Sequence, residues 1–134
     1  MQAFFNDFAI MAPAVVFNIY FAAASIPVGF VLAVFLALGK ASANPVINRL
    51  SRGYIYAFRG SPLFIQFFMF YSLALSLNVS VWKPLGISGF VLHPLFMGPL
   101  VLILNTAAYT AEIFYGALRA VPRGAVEAAR AFGM

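Results

Sequence analysis

Residues 94–134 read PLFMGPLVLILNTAAYTAEIFYGALRAVPRGAVEAARAFGM, and this stretch decides the fold. Its first part, Pro94–Leu118, carries a single charge, Glu112, before Arg119 and Pro122 end the apolar run. About 20 mainly apolar residues suffice for a helix to cross a bilayer, so 94–118 is predicted to be a membrane span. Asn105, Tyr109, Glu112, Gly116 and Arg119 recur at helical spacing and share one face of that helix. A polar stripe on an apolar helix should face protein or water, because a carboxylate in hydrocarbon is costly. Two readings of Glu112 follow. It is either part of a substrate path or proton relay, or a structural carboxylate near the interface, about two turns from Arg119. The structural reading is favoured, since Glu112 lies so near Pro122. Gly98-Pro99 is expected to break the first turns.

Outward from this stretch, the same pattern recurs. Hydrophobic residues make up 64% of the 134 and charged residues only 8%. A soluble domain carries roughly 25% charged residues, so this composition excludes a soluble globular protein. Phe8–Gly39 and Gly60–Trp82 are also uncharged, and spans are predicted at about 9–38 and 62–81. In the first, Pro13 sits near the start, and Pro27 and Gly29 are expected to interrupt or kink the middle. Its small residues Ala22, Ala23, Ala24, Ser25, Gly29, Ala33 and Ala37 leave room for a neighbouring helix. Ser61-Pro62 is expected to cap and start the second span, and Asn78–His93 reads as an interfacial connection with Trp82 at headgroup depth.

Between the first two spans, Asn44-Pro45 reads as an N-cap followed by proline in the first turn. Ile47, Leu50, Tyr54 and Phe58 then form one helical face, and Arg49, Arg52, Tyr56 and Arg59 another. That predicts an amphipathic helix at the membrane surface. Pro45 and Gly53 favour the alternative of a solvated basic loop.

Charge placement gives the orientation. Lys40, Arg49, Arg52 and Arg59 follow the first span, only Lys83 follows the second, and Arg119, Arg123 and Arg130 follow the third. Cytoplasmic loops collect Lys and Arg, so the expected topology is three spans, N-out and C-in, with Asp7 outside. The net charge of +5 therefore reports membrane orientation rather than a nucleic-acid partner. Without cysteine, and with His93 alone, no thiolate metal site, histidine metal cluster or Ser/His/Asp triad is expected. The N-terminus lacks a basic n-region, so no cleaved signal peptide is expected.

After Pro122 a short helix can restart, with Ala125, Val126, Ala129, Phe132 and Gly133 on an apolar side and Arg123–Glu127 as an opposite-charge pair. Periodicity alone fits two readings equally, a docking helix for another protein or the frayed end of a span. Here the residues resemble a family. Glu127-Ala128-Ala129-Arg-Ala-Phe-Gly133 is similar to the opening of the EAA loop of bacterial ABC importer permeases. Asn105-Thr-Ala-Ala-Tyr109-Thr-Ala-Glu112-Ile-Phe, Gly116-Ala-Leu-Arg-Ala-Val-Pro122 and Phe58-Arg59-Gly60-Ser-Pro62-Leu-Phe-Ile-Gln66 look like the polar amino-acid branch of that family.

The resemblance implies an all-α integral membrane subunit of an ATP-driven uptake system in the bacterial inner membrane. It implies ATPase subunits seated on the cytoplasmic EAA segment, within 119–134, at Glu127, Ala128, Ala129 and Gly133. It also implies a second permease subunit, an external substrate-binding protein and an amino-acid substrate. Family members usually have five spans, and this chain stops one residue after Gly133, so it looks like the N-terminal portion of one permease domain. Arg59, Gly60, Pro62, Gln66, Asn105, Tyr109 and Glu112 are the signature and pathway candidates, with bundle glue weighted above pore lining. The expected chain is not an enzyme. It has no Gly-x-x-x-x-Gly-Lys-Ser/Thr loop to cradle phosphate, so no cofactor is expected on this chain and ATP would be bound by a partner subunit. The rival readings are a small oligomeric proton- or cation-coupled transporter using Glu112, and a structural or regulatory membrane protein.

Overall fold

The computed structural model describes residues 2–133, and all regular structure within them is helical. Helix α1 is Gln2–Ala41, α2 is Pro45–Gly60 and α3 is Leu63–Ser76. A π turn at Asn78–Trp82 leads to the one-turn helix α4 (Ser88–Val91), then α5 (Pro94–Ala120) and α6 (Arg123–Ala131).

Two helical stretches, Met11–Ala41 and Pro94–Ala120, are long and apolar enough to cross a membrane, while Leu63–Ser76 is apolar but shorter. Helix α1 runs through both Pro13 and Pro27, so neither proline ends it. Gly29 is not a break either. A Cβ there would lie 3.2 Å from the Ile103 carbonyl and from Thr106 of α5, so glycine is what admits the neighbouring backbone. Ser25, Gly29, Ala33 and Ala37 are buried at one-turn spacing along α1; Ala33 and Ala37 pack with Ala111 of α5, on which Ala107 and Ala108 are buried too. Ala22 and Ala23 stay exposed.

Gly98-Pro99 does not break α5, contrary to expectation. Pro99 has no N–H, which leaves the Leu95 carbonyl without its intrahelical donor. The Tyr20 hydroxyl of α1 donates to that carbonyl at 2.9 Å. His93 caps the start of α5 by accepting from the Leu95 N–H at 3.2 Å, which is the use the structure makes of the lone histidine.

Contacts advance together along α1 and α5, from Tyr20 with Leu95 to Lys40 with Glu112, so these helices run parallel. Helix α3 runs the other way. Gln66 near its start meets Asn105, and Ala74 near its end packs with Met97 and Val101. The α3 helix stops at Ser76, short of the expected Val81. There the backbone widens. Val81 and Trp82 N–H both donate to the Leu77 carbonyl, and the Trp82 indole donates to the Ala74 carbonyl at 3.0 Å.

Helix α2 forms as the amphipathic pattern predicted, not as a loop. The Asn44 side chain accepts from the Val46 N–H at 2.9 Å, and Pro45 occupies the first turn. Only part of its apolar face turns to the bundle. Ser51 and Ile55 are buried with Tyr54 and Phe58 partly so, whereas Ile47 and Leu50 are exposed. The small Ser51 lies against Gly39, and that close approach decides which side turns inward. Ser61 does not cap α3. It ends α2, and its hydroxyl donates back to the Ala57 carbonyl.

Large apolar side chains such as Phe35, Phe68 and Ile113 are more than two-thirds exposed, at 67%, 68% and 69%. Buried positions are mainly small residues, which is how helices associate where lipid, not water, surrounds them.

Candidate functional site

The sequence-predicted polar residues converge where the C-terminal ends of α1 and α2 meet the middle of α5. Glu112 is the centre. Its Oε2 lies 2.5 Å from Lys40 Nζ and 3.5 Å from an Arg59 guanidinium nitrogen. Lys40 is nearly enclosed, with 10% of its side chain exposed, against 34% for Glu112 and 43% for Arg59. A buried ammonium needs a charge partner, and Glu112 supplies it. The carboxylate is thus held by two cations from other helices. Arg119, considered as its neighbour from the sequence, instead stands over the Tyr115 ring at 5.8 Å. Lys40 also lies 4.3 Å from the Tyr115 ring centroid, and Arg59 lies 5.6 Å from that of Tyr109. These faces carry partial negative charge and hold cations in place.

One to two turns away, Gln66 is 1% exposed and fully engaged. Its amide nitrogen donates to the Phe58 carbonyl at 2.7 Å and to the Ser61 carbonyl and hydroxyl at 3.0 Å each. Its amide oxygen accepts from Asn105 Nδ2 at 3.1 Å. An unsatisfied amide would be expensive in this setting, so Gln66 fixes the α2–α3 corner and ties it to α5. Pro62 starts that corner, its carbonyl accepting the Gln66 N–H at 3.2 Å, and Gly60 is the exposed last residue of α2. Tyr54 adds a further tie, donating to the Leu104 carbonyl at 2.8 Å. Burial pushes its hydroxyl up to about 12, so it remains a donor at any ordinary pH.

Arg59, Gln66, Asn105, Tyr109 and Glu112 therefore gather into one corner, with Gly116 exposed beyond it. Sequence reasoning missed Lys40, Tyr54, Ser61 and Tyr115. An apolar groove lined by Phe21, Phe64, Phe67, Phe68, Tyr71 and Met97 lies between α1, α3 and α5. Its walls suit hydrocarbon rather than a zwitterion. Among the described residues, no three His, Cys, Asp or Glu groups gather as metal ligands.

Helix α6 stands apart from that corner. Val121 and Pro122 are extended between α5 and α6, Glu127 and Ala128 are exposed, Ala129 is half-buried, and Phe132 is 84% exposed. Gly133 has φ 79°, and its N–H donates to the Arg130 carbonyl at 3.1 Å. This is the left-handed turn that glycine accepts without strain. The expected Arg123–Glu127 pair, and the side chains of Asp7 and Ala125, lie outside what the structure describes.

The sequence profile of the binding-protein-dependent transport system inner membrane component family matches residues 25–134. The chain is 45% identical, over 81% of its length and 45% of the relative's, to the histidine/lysine/arginine/ornithine transport system permease protein HisM of Escherichia coli (strain K12). It is 37% identical to the nopaline transport system permease protein NocM of Agrobacterium fabrum (strain C58 / ATCC 33970), over all of this chain and 55% of that one. It is 43% identical to the octopine transport system permease protein OccM of Rhizobium meliloti, over 82% and 44%. The chain spans about half the length of the curated relatives it matches, and no solved structure matches it. With parallel α1 and α5 packed through small residues and a family match running from Ser25 through α6, the chain belongs to the family of binding-protein-dependent transport system inner membrane components.

Proposed function

We propose that the chain is the membrane-spanning part of a permease subunit in an ATP-binding-cassette importer of polar amino acids. The family match over residues 25–134, and relatives named as amino-acid and opine permeases, carry this reading. In it, the protein lies in the inner membrane as a multi-pass subunit and pairs with a second permease subunit. ATPase subunits dock on α6, and an external binding protein delivers the substrate. Three spans run N-out and C-in. The Lys and Arg bias of the connections supports the orientation, and the alternating directions of α1, α3 and α5 support the count of three. So does the near-continuous helical path from Leu63 through Trp82, about 20 residues and therefore close to bilayer thickness. The exposed Glu127 and Ala128 support α6 as the coupling segment, with Pro122 freeing it to lie across the end of α5. Glu112, already shared by Lys40 and Arg59, acts as bundle glue rather than as a cation carrier.

The test is uptake into proteoliposomes containing the whole permease and its ATPase, with the binding protein and a radiolabelled amino acid outside. ATP-dependent accumulation is expected. Accumulation driven by a proton gradient without ATP would contradict the reading and favour the Glu112-coupled transporter.

A further inference from the structure

We propose that α2 carries a binding site for the headgroup of an anionic phospholipid, formed by Arg49 and Arg52 beside an uncovered apolar flank. At 100° per residue, the side chains of α2 fall into three sectors. Asn48, Ser51, Tyr54, Ile55 and Phe58 turn to the bundle, with Ser51 and Ile55 buried. Val46 and Leu50, 63% and 70% exposed, lie on a second flank. Arg49, Arg52 and Arg59 occupy the third, all exposed.

A cationic flank next to an apolar one is the arrangement of a helix lying in the headgroup region, its apolar side at the acyl boundary. Charge decides the occupant. Helix α2 contains no acidic residue, and Arg59 is already held by Glu112. Among the described residues Arg49 and Arg52 have no carboxylate partner. The surface therefore needs an anion beside hydrocarbon, which an acidic phospholipid offers in one molecule.

Arg52 is also held in position. Asn48 Nδ2 donates to the Lys40 carbonyl at 2.5 Å, and Arg52 Nε donates to Asn48 Oδ1 at 2.7 Å. The Nε is thereby occupied and both terminal amino groups remain available. A planar guanidinium so fixed suits a phosphate oxygen pair better than a mobile one, because less freedom is lost on binding. The Arg52 guanidinium also lies 6.0 Å from the Tyr115 ring centroid. The choline of phosphatidylcholine would bring a cation towards these arginines, whereas phosphatidylglycerol would not. The site should therefore select phosphatidylglycerol.

The inference rests on the membrane-permease reading only in placing α2 at the bilayer surface. Its test does not use uptake, so the two can fail separately. The whole protein is purified in detergent, supplied with phosphatidylglycerol or phosphatidylcholine, and bound lipid is counted by native mass spectrometry. Phosphatidylglycerol should be retained preferentially, and Arg49→Gln with Arg52→Gln should weaken that retention about 25-fold, from about fivefold per basic residue. Lys83→Gln, on the π-turn side, should leave it unchanged. With no native cysteine among the described residues, Leu50→Cys should not form linked pairs under oxidation. Equal retention of both lipids, no effect of the double variant, or displacement by equimolar inorganic phosphate would overturn the proposal. Disulfide-linked pairs through position 50 would overturn it too, by giving the flank to a second copy of the chain.

Discussion

Lys40 at the C-terminal end of α1 and Glu112 on α5 are 72 residues apart in sequence and 2.5 Å apart in space. Their contact joins the two parallel helices at the point where α2 also arrives through Arg59. Removing one charge leaves the other poorly solvated, while removing both leaves an apolar surface that can repack.

Glu112→Gln should therefore destabilise the purified protein by about 1–3 kcal/mol, because Lys40 loses its charge partner. Lys40→Met with Glu112→Leu should recover most of that loss in thermal unfolding. If the double variant recovers stability and uptake together, Glu112 serves packing. Restored stability with uptake still absent would place Glu112 in the transport path.

Gln66→Leu should cost about 1–3 kcal/mol, since Asn105 and the Phe58 and Ser61 carbonyls all lose a partner. The Gln66–Asn105 coupling in a double-mutant cycle should be smaller, about 0.6 kcal/mol, as interhelical polar bonds in membranes usually are. A cycle energy of zero would remove the contact.

Gly29→Val should destabilise by about 1–3 kcal/mol, because its side chain would meet the Ile103 carbonyl and Thr106. Gly53→Ala, in open space within α2, should instead stabilise by about 1 kcal/mol through helix propensity. Opposite signs in thermal unfolding check the pair.

Much of this was readable before the structure. The uncharged runs marked α1 and α5, Asn44-Pro45 marked the start of α2, and Pro122 marked the break before α6. What periodicity could not supply was which helices meet. Lys40, by sequence an orientation charge, is also the cation that a carboxylate on an apolar helix requires. On α2, Ser51 is inside because it is small enough to meet Gly39, which apolar periodicity does not reveal. Pro99 stays inside α5 with the donor for the Leu95 carbonyl, Tyr20, coming from another helix, which no spacing within α5 reveals.

Single-cysteine variants at positions 7, 49 and 130 test the proposed topology with a membrane-impermeant reagent. Position 7 should label from outside, and 49 and 130 only after permeabilisation. Outside labelling at 49 or 130 would reverse the orientation.

The most direct test of the coupling role is co-purification of the ATPase with the whole permease carrying Glu127→Lys or Gly133→Val. Lysine reverses a charge on the exposed side of α6, and valine strains a backbone held at φ 79°. The account predicts normal membrane insertion for both, with loss of bound ATPase and of ATP-dependent uptake. Wild-type ATPase yield together with unchanged uptake would contradict it and leave α6 as a plain helix end.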